Sequence, residues 1–170
     1  IAGLDEAELA EIIKVSGFYN QKAKRLSLLC KAIIADFGDF ESFKAGVSRE
    51  WLLARKGIGA ESCDAILCYA CERAVMVADS YSARLLGALG YEFESYDELS
   101  AWLGELEFGR IYEFVNSANS PCDAAAKAEK LENENGVYAL FHGLIVEFCK
   151  AHLKGKIFDD FAVEFFDNLK

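Results

Sequence analysis

Trp51-Leu52-Leu53-Ala54-Arg55-Lys56-Gly57-Ile58-Gly59-Ala60-Glu61-Ser62-Cys63-Asp64-Ala65-Ile66-Leu67, followed a little later by Val75-Met76-Val77-Ala78-Asp79-Ser80-Tyr81, decides the reading of this chain. An apolar helix end runs into a Gly-Ile-Gly turn, a second helix follows, and a carboxylate closes the run. Glycines on either side of Ile58 let the backbone turn sharply and come close to a ligand, while Ile58 pins the turn to the core. The helix that starts after Gly59 turns its unpaired N–H groups outward, and such a terminus attracts anions, phosphate among them. Taken alone the tripeptide is weak, because many interhelical turns look the same. The flanking segments narrow the reading.

Upstream stands Gly17-Phe18-Tyr19-Asn20-Gln21-Lys22-Ala23-Lys24-Arg25-Leu26, and downstream Arg84 and Phe141-His142-Gly143. In this order the blocks resemble the helix-hairpin-helix DNA glycosylase superfamily typified by endonuclease III, from Leu9 to Lys150. The resemblance implies an all-α fold of two helical lobes with an interlobe cleft. One lobe is expected over residues 1–118, with the hairpin and the aspartate, and the C-terminal helices of the second over 119–170. It also implies that Gly57, Ile58, Gly59, Glu61 and Ser62 grip DNA phosphate, and that Phe18, Tyr19, Asn20 and Lys22 face the DNA. The implied partner is double-stranded DNA carrying a damaged base.

Two departures choose the branch. Endonuclease III enzymes carry a lysine two residues after the second hairpin glycine, whose amine forms a Schiff base with the sugar and leads to strand cleavage. Glu61 stands there instead, and a carboxylate cannot form an imine, so a monofunctional hydrolytic glycosylase is preferred. Many relatives also hold an iron–sulfur cluster on four closely spaced cysteines. After His142 this chain offers Cys149 alone, so no cluster is expected. The combination looks most like the bacterial 3-methyladenine DNA glycosylase III branch. The rivals are an endonuclease III-like glycosylase and lyase acting on oxidised pyrimidines, and a non-catalytic helix-hairpin-helix DNA-binding module.

Breaking an N-glycosidic bond places positive charge on the deoxyribose, so a carboxylate beside that sugar stabilises the transition state and orients or deprotonates water. Asp79 is the candidate. It is also a good N-cap for the helix that begins at Ser80, and the two roles are compatible because a capping carboxylate is held rigid. The base must first leave the duplex, at a cost of a few kcal/mol, and a wedge must fill the gap. Phe18 and Tyr19 stand where relatives insert a side chain, although Tyr19 is better read as core. Asn20 is expected to cap the next helix, with Lys22 and Lys24 near phosphate. A cationic alkylated base is already a good leaving group, so aromatic walls and Asp79 suffice without a strong general acid. His142 is read first as a hydrogen-bonded core residue, and Arg84 as an ion-pair partner across the lobes. A sodium or potassium ion on the backbone carbonyls of Arg55, Gly57 and Gly59 is implied by the resemblance; no side-chain metal site is expected.

The chain has 170 residues, 53% of them hydrophobic, with one proline, 13 glycines and a net charge of −10. That is enough to bury a sizeable core, and the scarcity of proline leaves long stretches free for helix. The negative balance opposes DNA binding, which needs a basic face. The charges are segregated, however: basic residues gather at Lys14 to Lys31 and Arg49 to Lys56, and acidic ones at Glu92 to Glu107, Glu129 to Glu134 and Asp159 to Asp167. A local positive face is therefore expected beside the DNA-facing segments. Cys68-x-x-Cys71 falls on an apolar helix face with no second pair, so packing is preferred to redox or zinc chemistry. With no visible signal peptide or membrane span, the expected setting is the cytoplasm of a bacterium, in association with the nucleoid, as a monomer.

Apolar residues three and four apart predict helices over 5–15, 20–36, 39–45, 48–56, 60–71, 80–89, 96–103, 109–116, 121–132 and 137–154. Val75 to Ala78 is the one strand-like run, read as an extended buried connection into Asp79, and 116–136 is the expected loop or lobe junction. The sequence begins at Ile1 without methionine, and the first helices of the resemblance, with much of the base pocket, have no counterpart, so a fragment is expected. The apolar tail from Lys156 to Lys170 is expected to dock as a final helix.

Overall fold

The computed structural model describes residues 1–110, 113 and 134–169. The chain divides into two compact units, Ile1–Gly59 and Ala60–Lys170. The expected boundary after residue 118 lies outside the described residues, and the compact units meet in sequence between Gly59 and Ala60. Charge follows the same division. The first unit holds nine Lys and Arg against eight Asp and Glu, the second nine against twenty, so the negative balance belongs to the second.

The first unit is built from short helices with explicit start signals. Helix α1 (Glu6–Ile12) begins at Asp5, whose carboxylate accepts the Ala7 N–H at 2.8 Å. A 3₁₀ turn (Lys14–Ser16) and Gly17 lead into α2 (Tyr19–Phe37), which ends at Gly38, where φ is 84°. Helices α3 (Phe40–Gly46) and α4 (Arg49–Leu53) are capped by Asp39 and Ser48, each accepting an N–H of its first turn. Phe43 and Leu52 are fully buried, and Phe37, Phe43 and Trp51 pack edge to face at 5.1–5.7 Å. Trp51 also donates to Asp36 at 2.8 Å.

In the second unit the helix expected over 60–71 is two pieces: α5 (Ala60–Ala65) and a π-helical turn (Ile66–Ala70), in which Cys71 N–H reaches back to Ile66 O at 3.0 Å. A π turn widens the helix by one residue and often marks a functional position. Asn135 closes its end, donating to Cys68 O and Arg73 O, each at 2.7 Å. Met76, Val77 and Ala78 then run buried and without strand pairing into α6 (Ser80–Ala88), as expected of an extended connection. Helix α7 (Tyr96–Gly104) and the long α8 (Glu134–His152) complete the framework, around a core that includes Met76, Leu86, Leu103, Ile145 and Cys149.

Helix α8 stops two residues earlier than predicted. Leu153–Lys154 (β1) pairs antiparallel with Ile157–Phe158 (β2), Leu153 opposite Phe158, around Gly155 with φ 66°. Strand is therefore found here rather than at Val75 to Ala78, because a glycine able to adopt positive φ lets the chain fold back. The tail docks as expected: α9 (Asp160–Asp167) is capped by Asp159 and buries Ala162 and Phe166, with Phe166 against Phe148 and Phe158. Most of the predicted helix over 109–116, and the whole of that over 121–132, lie outside the described residues. No described helix is long and apolar enough to cross a membrane.

Candidate active site

Asp79 occupies the N-cap of α6, at the end of the buried Met76–Ala78 segment. Its Oδ1 accepts the Ser82 N–H at 2.8 Å and the Ser82 hydroxyl at 3.0 Å. Ser82 is completely buried, so one carboxylate oxygen is tied to a fixed point. The other, Oδ2, faces His142 Nε2 of α8 at 3.5 Å. That separation is electrostatic contact short of a formed hydrogen bond, and Nε2 is buried with no hydrogen-bond partner. On the far side of the ring, Nδ1 lies 2.5 Å from the Tyr69 hydroxyl, which projects from the π turn. Burial pushes the Asp79 pKa up, but His142 and the two donors of Ser82 outweigh it and hold the carboxyl below its ordinary value. Asp79 is an anion at neutral pH.

His142 is hydrogen-bonded and partly buried, as expected, but its second nitrogen is aimed at the candidate carboxylate rather than into the core. The contact described for Arg84 is to a backbone carbonyl. The side chain is exposed and donates to Gly155 O at 3.3 Å, inside the second unit, because the β turn brings that carbonyl to α6. Cys149 is buried with its thiol 3.7 Å from Tyr81 O, and burial raises its pKa. Cys68 and Cys71 are buried and outside any disulfide, and burial pushes Cys68 to about 11, in keeping with packing.

At the hairpin, Gly57 has φ 89°, and Ile58 N–H donates to Arg55 O at 3.1 Å. A Cβ on Gly57 would stand 2.5 Å from Arg25 Cδ and Nε, so the Arg25 side chain lies directly along the turn. Gly59 has open space where a Cβ would sit and needs no unusual φ. The positive φ that demands glycine therefore belongs to Gly57 and not to Gly59. Arg25, Arg55, Lys56 and Ile58 line a shallow pocket of about 240 Å³. Arg55 is held by its Nε bond to Trp51 O at 3.1 Å and lies 4.3 Å from the Trp51 ring centroid. Glu61 and Ser62 are exposed on the first turn of α5.

Phe18 is 85% exposed and sits in the left-handed region, φ 48°, at the N-cap of α2. Tyr19 instead packs on Leu9, Ala10 and Ala23, as expected. Asn20 does not cap α2: the helix starts at Tyr19, which places Asn20 inside the first turn, exposed. Lys22 reaches back to the Ser16 carbonyl, bracing the loop that carries Phe18.

Three residues escaped the sequence reading. Ser82 was legible in principle, since the residue three after an N-cap aspartate donates its N–H to that carboxylate. Arg25 stood inside the quoted upstream block without a role. Tyr69 had no local signal, because it meets His142 across 73 positions of sequence.

The chain shares 45% identity and a TM-score of 0.75 with a crystal structure of Helicobacter pylori 3-methyladenine DNA glycosylase bound to 1,N6-ethenoadenine, over 90% of this chain and 66% of that one. A Methanocaldococcus jannaschii protein with the provisional name of DNA repair glycosylase is 32% identical over 167 residues, 94% of this chain and 65% of its own. The thymine/uracil-DNA glycosylase of Methanothermobacter thermautotrophicus is 27% identical over 100 residues, 57% of this chain and 43% of its own. The chain thus spans less than two thirds of the relatives' own lengths. Residues 1–105 match the family described as HhH-GPD superfamily base excision DNA repair protein, and the chain belongs to that superfamily.

Proposed function

We propose that this protein is a monofunctional DNA glycosylase that hydrolyses the N-glycosidic bond of alkylated, 3-methyladenine-type bases in base excision repair. The observation that carries the reading is Asp79: an ionised carboxylate, fixed through Ser82 at the start of α6, in a chain similar to a 3-methyladenine DNA glycosylase. In the reaction the bond between sugar and base breaks, its electron pair leaves with the base, and the sugar becomes cationic. Asp79 stabilises that cation and accepts a proton from the attacking water. A base that already carries positive charge leaves as a neutral molecule and needs no strong acid.

The proposal extends to DNA contact. Gly57, Ile58, Gly59, Glu61 and Ser62 approach phosphate, Arg25, Arg55 and Lys56 supply positive charge, and Phe18 is the wedge, supported by Tyr19, Asn20 and Lys22. A sodium or potassium ion on the carbonyls of Arg55, Gly57 and Gly59 fits only in part. Arg55 O already accepts Ile58 N–H, and the Arg25 side chain lies against Gly57, so no step is routed through a cation. The substrate is double-stranded DNA, the protein acts as a monomer, and its setting is the cytoplasm, at the nucleoid.

The test offers methylated duplex DNA and duplex containing an oxidised pyrimidine, each with and without borohydride. Release of methylated adenine with no trapped covalent complex is the expected result. Trapping would favour an imine-forming lyase, and tight DNA binding with no base released would favour a binding module.

A further inference from the structure

Resting on the reading of Asp79 as the catalytic carboxylate, we propose that Tyr69 and His142 are positioning residues that aim Asp79 Oδ2. The line Tyr69 Oη, His142 Nδ1, His142 Nε2, Asp79 Oδ2 runs through contacts of 2.5 Å and 3.5 Å, within the second unit. Its partners fix the tautomer. A nitrogen facing a carboxylate is the one that bears a proton, so the ring turns Nε2–H toward Oδ2 and Nδ1 toward the Tyr69 hydroxyl. The alternative acceptor for that hydroxyl, Ala139 O, lies at 3.4 Å, much farther than the ring nitrogen.

The two oxygens of Asp79 are thereby treated differently. Oδ1 carries both bonds from Ser82 and is saturated by the helix start. Oδ2 faces one N–H at a distance longer than a full hydrogen bond, so it is oriented and still able to take a new partner. Oδ2 is the oxygen left for water or for the sugar. The 12% exposure of both side chains keeps this contact largely out of solvent, while Tyr69, about half exposed, marks where the line meets the surface.

The surrounding groups preserve the charge. Those facing Asp79 are Tyr69 on the π turn, Ser82 on α6, and His142 and Cys149 on α8. Tyr69 and Cys149 both have their pKa raised, by burial first and by Asp79 in addition, so both stay neutral. Arg84 on α6 is turned to the Gly155 carbonyl. An oriented carboxylate beside the sugar is what a developing sugar cation requires.

The test compares the parent protein with Tyr69→Phe, His142→Ala and His142→Gln. The Gln amide can place an N–H near the position of Nε2. Single-turnover base release is expected to fall about tenfold in Tyr69→Phe and further in His142→Ala, with partial recovery in His142→Gln and little change in DNA dissociation constant. Independently of turnover, the Asp79 carboxyl carbon is followed by ¹³C NMR during titration. Its pKa is expected to move up in His142→Ala and Tyr69→Phe, toward the ordinary carboxylate value. Unchanged release together with an unchanged Asp79 titration would overturn the proposal, as would a loss confined to folding and DNA affinity. If the parent itself releases no base, the glycosylase reading falls, and the titration still decides whether Tyr69 and His142 act on Asp79.

Discussion

Ser82 gives Asp79 two hydrogen bonds, from its backbone N–H at 2.8 Å and its hydroxyl at 3.0 Å, both to the same carboxylate oxygen. Capping and chemistry are thereby divided between the two oxygens of one side chain. This separates two effects that substitution usually confuses. Asparagine caps helices about as well as aspartate, but carries no charge. Asp79→Asn should retain the fold within about 1 kcal/mol, whereas Asp79→Ala also loses the cap at a cost of about 0.5–2 kcal/mol. Denaturant unfolding of the two variants checks this, and equal losses would show that Oδ1 does not cap.

The low pKa of Asp79 carries a sign. Its folded value lies below the unfolded one, so the ionised carboxylate adds stability at pH values above the unfolded pKa, and that stability is lost as pH falls through the folded pKa. The stability gap between parent and Asp79→Asn should be full near neutrality and shrink in the acid range below about pH 4. Unfolding curves from pH 7 downward measure it, and a gap that widens on acidification would contradict the account.

The glycines of the hairpin should respond unequally. Gly57→Ala places a methyl 2.5 Å from Arg25 at φ 89°, and should destabilise by more than about 1 kcal/mol and weaken DNA binding. Gly59→Ala meets open space and should alter stability by less than that, about 0.5–1 kcal/mol at most. Thermal unfolding and DNA titration of the pair check the contrast; equal effects would mean that the positive φ at Gly57 does not set the turn.

Phe18 combines exposure with a backbone conformation that disfavours a side chain. Phe18→Ala should leave stability within about 0.5 kcal/mol, and Phe18→Gly, relieved at φ 48°, should gain up to about 1 kcal/mol. Both should slow base release if Phe18 fills the gap in the duplex. A large loss of stability in Phe18→Ala would show that the ring packs instead.

What the sequence disclosed, and what it withheld, follows the range of the interactions. Helix starts were legible because Asp39, Ser48 and Asp79 act within three residues of themselves, and the Gly57 turn because it sits in a recognisable block. The end of α8 was not, since its apolar pattern continues through Leu153 and only pairing with Phe158 reveals a strand. The π turn was hidden because Ile66 to Cys71 has ordinary helical periodicity, and the clamp from Asn135 is distant in sequence. In the candidate site Asp79 was found by its motif, but the alignment of Tyr69 with His142 exists only after folding.

The central claim is best tested by single-turnover release of methylated purines from alkylated duplex DNA, with parent protein and Asp79→Asn at matched DNA occupancy. The account predicts release by the parent and a loss of at least about a hundredfold in the variant, with DNA affinity retained. Equal release by both would contradict the role of Asp79, and binding without release by the parent would contradict the glycosylase reading.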